Sequence, residues 1–376
     1  MPLKSQLRIP GPTPLPPEVL QALSRPMINH RSPEFHQLLF ALGERVQKVI
    51  GTGNDVLFLT ASGTGGLEAA VANAIAAGDR VLSVCIGHFG ERLAEIAEVF
   101  GAKVDYLRFA PGTAADPVLL AQQLTRERYE AVLVTHSETS TGVLNDLPAI
   151  SRALDSVPYR PLLLVDGVSS LAAVPLSLAD HECDIVVTAS QKAWMAPPGL
   201  AMLAVSERAW AKIEACRSPR TYLDLVAARR YARRGETPWT PAISVLYGLD
   251  AALDLILAEG LASVFARHQL LARRFRTGLR DMGLTTLARE ECASPTVTVV
   301  PLPSAVPAER LLEELRLQHG VEAAGGQGEL KGRAIRFGHM GYVSEQDIDY
   351  LLAAIADALL RVQSAGRELY GQSVRS

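Results

Sequence analysis

A repeated alternation of short apolar runs and helical stripes constrains the fold of this 376-residue chain more than any other feature. The runs at 131–136, 161–167 and 184–190 lack polar alternation, which is typical of parallel strands buried on both faces. Stripes of apolar residues spaced three and four apart follow the runs at 55–60 and 80–85. This pattern predicts an α/β fold with a doubly wound, mostly parallel sheet.

The pattern changes in the last third of the chain. A long helical stretch at 244–260 indicates a connector between domains, and strand, helix, strand and helix follow it. The last helix is predicted to begin at Ser344 and Asp347, which have capping-box spacing. Because single cores rarely exceed about 250–300 residues, we expect two domains. The predicted units are an arm at 1–22, a large α/β domain at 23–257 and a small α+β domain at 258–376.

The first unit is rich in proline, with five prolines between residues 8 and 17. Proline is excluded from helix interiors and central strands, so these residues are predicted to form an extended arm of the kind that can lie across a partner subunit.

Charge and cysteine content narrow the classes of function. A net charge of −3 provides no field for nucleic acid or for an anionic membrane surface. Neither a secretory signal nor an apolar run near the roughly 18 residues of a membrane span is present, so a cytoplasmic location is the expectation. The four cysteines lie far apart, which predicts reduced, mostly buried thiols and no metal site.

Polar residues follow several of the predicted strands, where ligands of such sheets bind. The Gly-rich turn at 61–70 could surround a phosphate with helix amides and with the hydroxyls of Ser62 and Thr64. An ordinary βα turn explains the same glycines equally well.

Two further residues complete the set of candidate catalytic groups. Asp166 ends an apolar strand, where its carboxylate requires a cation such as a protonated pyridine nitrogen, although a helix cap or ion pair is an alternative. Lys192 follows the next strand and, partly desolvated, would be a Schiff-base nucleophile and a general base. A surface loop lysine is the alternative. The combination indicates a pyridoxal-5′-phosphate (PLP) enzyme.

At this point the chain resembles the class V, fold type I PLP-dependent aminotransferases, especially the alanine–glyoxylate and serine–pyruvate group. The resemblance extends from about residue 11 to residue 341. It rests on the motifs PGPTPLPP, SGTGGLEAA, GHFGERL, THSETSTGVLND, LLLVDGVSS, ASQKAWMAPPGLA, TPWTPAIS and RAIRFGHMG. It implies a large domain with a seven-stranded, mostly parallel sheet.

The resemblance also implies residue roles. It assigns the phosphate to the cradle of Ser62, Gly63, Thr64 and Gln191, and ring stacking to Phe89. Further contacts to the cofactor are implied for Thr139 near the phenolic oxygen, Asp166 at the ring nitrogen, Val168 on the opposite ring face and Lys192 at the aldehyde.

Other implied roles concern the substrate and a second subunit. Arg336 matches an arginine that binds the substrate carboxylate, a role suited to its planar fork, and Gly11 is placed at the substrate too. Thr237 and Thr240 would reach the phosphate of the neighbouring subunit, which implies a homodimer with composite sites. Which of the two hydroxyls makes that contact stays open.

Three more residues keep two interpretations each. His30 and Arg31 are candidates for the substrate entrance or for turn stabilisation, and His339 for substrate contact or for a structural role.

The expected activity, which the resemblance implies, is ping-pong transamination from a small amino acid, alanine or serine, to glyoxylate or pyruvate, with aspartate or a larger amine as the alternative donor. Lys192 would move the Cα proton while Asp166 pairs with the ring nitrogen. A pyridoxamine–pyruvate transaminase, a lyase of the same fold and a catalytically silent subunit are the alternatives. The chain has no GxGxxG turn after its first predicted strand, which disfavours dinucleotide binding.

Overall fold

The computed structural model of the chain describes residues 6–176, 178 and 183–373, with side chains placed up to residue 364. The first five residues of the predicted arm and the last three of the predicted small domain lie outside the described residues. In that described part, no helix combines the length and the hydropathy that crossing a membrane requires.

The strands, in chain order, are β1 (Gln6–Leu7), β2 (Asp55–Thr60), β3 (Arg80–Cys85), β4 (Lys103–Arg108), β5 (Ala131–Thr135), β6 (Ser137–Glu138), β7 (Val143–Leu144), β8 (Leu162–Asp166), β9 (Ile185–Ala189), β10 (Leu200–Val205), β11 (Val297–Pro301), β12 (Val321–Glu322), β13 (Ala324–Gly325) and β14 (Ala334–Gly338). The α-helices are α1 (Pro17–Ala22), α2 (Pro33–Ile50), α3 (Gly63–Ala74), α4 (His88–Val99), α5 (Pro117–Arg126), α6 (Leu147–Leu154), α7 (Glu207–Ala215), α8 (Leu225–Ala232), α9 (Ile243–Glu259), α10 (Leu261–Asp281), α11 (Ala308–His319) and α12 (Glu345–Ser373).

A seven-stranded sheet forms the centre of the large domain, in the order β2-β10-β9-β8-β5-β3-β4. Neighbouring strands from β9 to β4 are parallel, whereas β10 is antiparallel to both β9 and β2. Strands β5, β8, β9 and β10 are buried throughout, because helices and their apolar side chains cover both faces of the sheet. The predicted α/β fold with a mostly parallel sheet is confirmed.

The carboxyl-terminal part packs α10, α11 and α12 around the three-stranded sheet β11-β14-β13, with a separate apolar core. The predicted start of α12 has the expected geometry, since the Ser344 and Asp347 side chains each accept a hydrogen bond from the other residue's backbone N–H, at 3.2 and 2.8 Å. The long helical stretch predicted as a connector is α9, which packs against α1, α2 and α10.

The arm follows the carboxyl-terminal part before it reaches the large domain. Strand β1 pairs in parallel with β12, and the Gly338 N–H donates to the Arg8 carbonyl at 2.7 Å. Arg8 is buried and forms an ion pair with Asp347 at 2.6 Å. Beyond Arg8 the arm passes the loop that carries Lys192, and Thr13 of the arm donates a hydrogen bond to the Lys192 carbonyl. The arm therefore contacts both parts of the molecule.

Candidate active site

The candidate site lies at the carboxyl edge of the sheet, where β5, β8 and β9 end at Thr135, Asp166 and Ala189. Parallel strands end at one common edge, so residues that follow them are brought together. Asp166 is paired with Thr135 in the sheet register and with Val187 on its other side. The edge therefore collects polar residues that lie far apart in the sequence.

The loop after β9 holds Lys192 in a defined position. Buried Trp194 donates through Nε1 to Thr188 Oγ1 at 2.8 Å, and Ser190 Oγ donates to the Pro197 carbonyl at 2.6 Å. From the arm, Thr13 donates through its N–H to the Gln191 carbonyl at 3.1 Å and through Oγ1 to the Lys192 carbonyl at 2.9 Å. The lysine backbone is thus fixed from two sides.

The amine of Lys192 is in a largely desolvated position. Burial lowers its pKa to about 8, because the ammonium form loses its hydration; the charge of Asp166 opposes the shift, and Arg336 and Arg92 add to it. Its Nζ donates a hydrogen bond to the Pro10 carbonyl. An amine with this pKa can be deprotonated close to neutral pH, which a nucleophile or general base requires.

Gly11 lies directly on this lysine. A Cβ at position 11 would be 2.6 Å from Nζ and 2.8 Å from Cε of Lys192, and the φ angle of +127° disfavours any side chain. The resemblance to the family placed Gly11 at the substrate. The structure places Gly11 against the Lys192 side chain, and its role toward a substrate stays a prediction.

Asp166 is buried, and Oδ1 of its carboxylate accepts from the Val168 N–H at 3.0 Å. Burial raises its pKa to about 6; the Val168 N–H opposes the rise, the charge of Glu138 adds to it, and Arg92 and Lys192 oppose it. A buried carboxylate with a raised pKa gains most from a cation placed against it. A protonated pyridine nitrogen is such a cation.

The predicted phosphate cradle forms at the amino terminus of α3. The Ser62 hydroxyl caps the helix by accepting from the Gly65 N–H at 3.3 Å, and Thr64 Oγ1 accepts from Arg92 at 3.1 Å. A Cβ on Gly63 would be 2.9 Å from a Val168 methyl group, so the glycine allows the cradle and the Asp166 loop to approach closely.

Gln191 adds a polar group that supports a bound ligand. Its side-chain oxygen is buried and has no hydrogen-bond partner within the described residues. Unsatisfied buried polar atoms are rare in folded proteins and suggest a missing partner. Together with the cradle, Asp166 and the Lys192 amine, this side chain fits PLP, whose aldehyde would be held by Lys192, ring nitrogen by Asp166 and phosphate by the α3 terminus.

Phe89, the predicted stacking residue, is the second residue of α4 and is held by a residue that no sequence pattern singled out. Buried Glu138 accepts from the N–H groups of Phe89 and Gly90 at 2.9 and 3.1 Å, and from that of Ser140 at 3.0 Å. Burial raises the pKa of Glu138, against the effect of these N–H donors. A carboxylate next to Thr139, in a segment without lysine or arginine, was the available signal.

Arg336 is presented by β14 and is partly buried. Its Nε donates to the Gly325 carbonyl at 2.7 Å and its Nη1 to Gln327 Oε1 at 2.9 Å, while burial lowers its pKa. Of the five N–H donors of a guanidinium, three have no partner among the residues that the structure describes. Gln327 also lines a cleft of about 250 Å³, together with Gly87 and Ser140.

Other predicted residues lie elsewhere in the chain. Thr237 donates through Oγ1 to the Trp239 carbonyl at 2.7 Å, and Thr237 and Thr240 line a surface depression beside Tyr222. Arg31 donates to the Thr237 carbonyl at 2.7 Å and so stabilises this loop. The contact of Thr237 or Thr240 with a neighbouring subunit stays a prediction.

The remaining candidates have local surroundings. Both ring nitrogens of buried His339 have partners inside the small domain, Thr298 Oγ1 at 2.8 Å and the Pro295 carbonyl at 3.1 Å, and burial lowers its pKa to about 3. These contacts favour the structural interpretation of His339. His30 is partly exposed, and Thr139 is buried beside Glu138. The four cysteines are reduced, and three of them are buried.

The fold, with Lys192 and Asp166 near one edge of the sheet, is that of a PLP-dependent enzyme of the aminotransferase type. The chain belongs to the family described as aminotransferase class-V, whose model matches residues 7–351. The predicted family, enzyme class and cofactor are thereby confirmed.

Known relatives cover almost the whole chain. The soluble hydrogenase small subunit of Synechococcus sp. (strain PCC 6716) is 40% identical over 94% of this chain and 91% of its own length. The structure of an alanine–glyoxylate aminotransferase from Nostoc sp. is 32% identical, with a TM-score of 0.91 over 96% of this chain and 97% of that one. That of a pyridoxamine–pyruvate aminotransferase from Mesorhizobium loti is 33% identical, with a TM-score of 0.91 over 99% and 97%.

Proposed function

We propose that the chain transfers the amino group of alanine or serine to glyoxylate or pyruvate by a ping-pong reaction with PLP. The observation that carries the proposal is the surroundings of Lys192, whose pKa responds to both the predicted ring partner Asp166 and the predicted carboxylate ligand Arg336. The likeness to an alanine–glyoxylate aminotransferase supports a small donor and glyoxylate as acceptor.

PLP, when bound, supplies an aldehyde that bonds to amines and a cationic ring that accepts electrons from the substrate Cα. Arg336 would bind the substrate carboxylate through its free N–H donors and orient Cα. Nζ of Lys192, with a pKa of about 8, would take the proton from the substrate Cα and later donate a proton at the aldehyde carbon of the coenzyme. Asp166, as a carboxylate, would keep a proton on the ring nitrogen.

A substrate panel tests the proposal. Alanine, serine and aspartate are offered as donors, each with glyoxylate or pyruvate as acceptor, and the new amino acid and keto acid are quantified. We expect turnover with alanine or serine, no turnover in Lys192→Ala, and unchanged turnover in the control Lys48→Ala, an exposed lysine on α2. Turnover with aspartate alone would contradict the proposed donor class.

A pyridoxamine–pyruvate transaminase is the second candidate, because a structure with that name resembles this chain closely. The cradle of Ser62, Gly63 and Thr64 supports a phosphorylated coenzyme instead. PLP-free protein is incubated with free pyridoxamine and pyruvate, and pyridoxal is measured. Pyridoxal formation under these conditions would contradict our proposal and favour the pyridoxamine–pyruvate activity. Release of ammonia without consumption of a keto acid would indicate a lyase.

The proposal includes a homodimer in which Thr237 or Thr240 completes the neighbouring site. Lys192→Ala is mixed and refolded with the double variant Thr237→Val/Thr240→Val. A mixed dimer would contain one site with both an intact lysine and intact threonines, so activity should return. Two inactive variants that stay inactive together would argue against composite sites. A cytoplasmic location stays a prediction from the sequence.

A further inference from the structure

Arg92 lies beside the phosphate cradle, on the first turns of α4. Its Nη2 donates to Thr64 Oγ1 at 3.1 Å, and its Cζ lies 4.6 Å from the centre of the Phe89 ring. The guanidinium therefore connects a cradle residue with the predicted stacking residue. Arg92 is part of the GHFGERL motif but was not among the predicted cofactor contacts.

Arg92 has no acidic partner within 4.0 Å anywhere in the described part of the chain. Arg108, at the end of β4, differs in this respect, since it forms an ion pair with Glu91 at 2.9 Å. Among the described residues, the hydrogen bond to Thr64 engages one of the five guanidinium N–H donors. A partly buried arginine that has no acidic partner and one engaged N–H donor is available to bind an anionic group of a ligand.

The surroundings indicate which anion fits. The Ser62 and Thr64 hydroxyls lie at the amino terminus of α3, beside the first amides of the helix, and a helix terminus carries only about half a positive charge. A phosphate monoester carries about −1.5 to −2 at pH 7, so a full cation is needed for closer charge balance. Thr64 Oγ1 accepts from Arg92, which leaves its O–H free to donate to a phosphate oxygen.

We propose that Arg92 is a cofactor-binding residue that pairs with the phosphate of PLP, alongside and partly through the Thr64 hydroxyl. The inference rests on PLP as the coenzyme and extends the predicted cradle by one charged residue. The charge of Arg92 also acts on Lys192 and Asp166, because it helps to lower the pKa of Lys192 and opposes the rise in the pKa of Asp166.

An alternative role is structural. Arg92 could act only by holding the Phe89 ring through a cation–π contact. The two roles differ in the part of the coenzyme that they affect. Loss of a phosphate contact weakens binding of PLP and leaves that of pyridoxal, which has no phosphate, unchanged. Loss of ring support weakens binding of both compounds equally.

The experiment measures dissociation constants of PLP and of pyridoxal for the PLP-free wild type, Arg92→Gln and Arg92→Lys. A charged hydrogen bond contributes enough for a roughly 10- to 100-fold rise in the PLP dissociation constant of Arg92→Gln. Arg92→Lys should lie between it and the wild type, since it keeps the charge without the fork. Competition by inorganic phosphate against PLP should weaken in the same order.

Arg126→Gln is the matched control. Arg126 is an exposed arginine at the end of α5, close before β5 and so at the opposite edge of the sheet. The PLP affinity of this variant should equal that of the wild type. Unchanged PLP affinity in Arg92→Gln, or equal loss for PLP and pyridoxal, would overturn the inference. Absence of PLP binding by the wild type would instead refute the proposed function.

Discussion

Substitution of Gly11 by alanine tests whether the arm controls the position of the Lys192 amine. The new Cβ would be 2.6 Å from Nζ, so the amine would have to recede by about 0.8 Å to reach a normal 3.4 Å contact. That displacement disrupts the hydrogen bond from Nζ to the Pro10 carbonyl. We therefore expect a loss of stability together with a change in lysine reactivity.

The magnitude has two parts. A side chain at φ +127° costs about 1–3 kcal/mol of backbone strain, and a hydrogen bond from a charged group contributes about 1.5–3 kcal/mol. Gly260→Ala separates them, because Gly260 has φ +83° and no atom within 4 Å of the position that a Cβ would take. Gly11→Ala should lower the free energy of unfolding by about 1.5–3 kcal/mol more than Gly260→Ala does.

Denaturant unfolding of the PLP-free proteins at pH 7 gives the stability difference. The rate at which each protein regains visible absorption after addition of PLP reports the reactivity of Lys192, and it should fall in Gly11→Ala only. Equal stability losses in the two variants, with PLP uptake unchanged, would show that Gly11 does not constrain the lysine.

Three further predictions concern the same site. Between pH 8 and 10.5 the unfolded state binds more protons at Lys192 than the folded state, so the stability of the PLP-free wild type should rise with pH in this range. Lys192→Met should be more stable than the wild type at pH 7. In thermal unfolding scans, this difference in stability should shrink towards pH 10.5. Glu138→Ala leaves three N–H groups without their acceptor and should lower the free energy of unfolding by at least about 2 kcal/mol, and chemical denaturation that matches the wild type would refute this role. Gly63→Ala places a Cβ 2.9 Å from a Val168 methyl group, so it should weaken PLP binding at least about tenfold in an equilibrium titration. In the control Gly53→Ala the new Cβ has no atom within 4 Å, so PLP binding should be unchanged.

The sheet was predictable because its strands are buried on both faces. An apolar run such as 184–190, when turn residues bound it, is typical of a strand covered on both sides. Strand direction was not predictable in the same way. Leu200–Val205 is as apolar and as buried as its neighbours, yet it runs antiparallel to them. An uninterrupted apolar run records burial on both faces, and such burial is typical of parallel strands but does not require a parallel direction.

The sequence allowed Lys192 and Asp166 to be placed near one edge of the sheet. Asp166 ends a buried strand and Lys192 comes soon after the next one, and each is costly to bury without a partner. Glu138 and Arg92 were missed because their contacts join distant segments: Glu138 lies 49 positions from Phe89, and Arg92 lies 28 positions from Thr64. No local pattern shows that these two side chains reach the start of another helix.

The arm explains how two parts of the site keep a fixed relation. Strand β14 carries both Arg336 and Gly338, and the Gly338 N–H binds the Arg8 carbonyl at 2.7 Å. Further along the arm, Thr13 binds the Lys192 carbonyl at 2.9 Å. Any displacement of β14 relative to the sheet therefore acts on the arm and on Arg336 together. Because the arm also contacts the Lys192 amine, Arg336 and Lys192 are mechanically connected through a short extended segment.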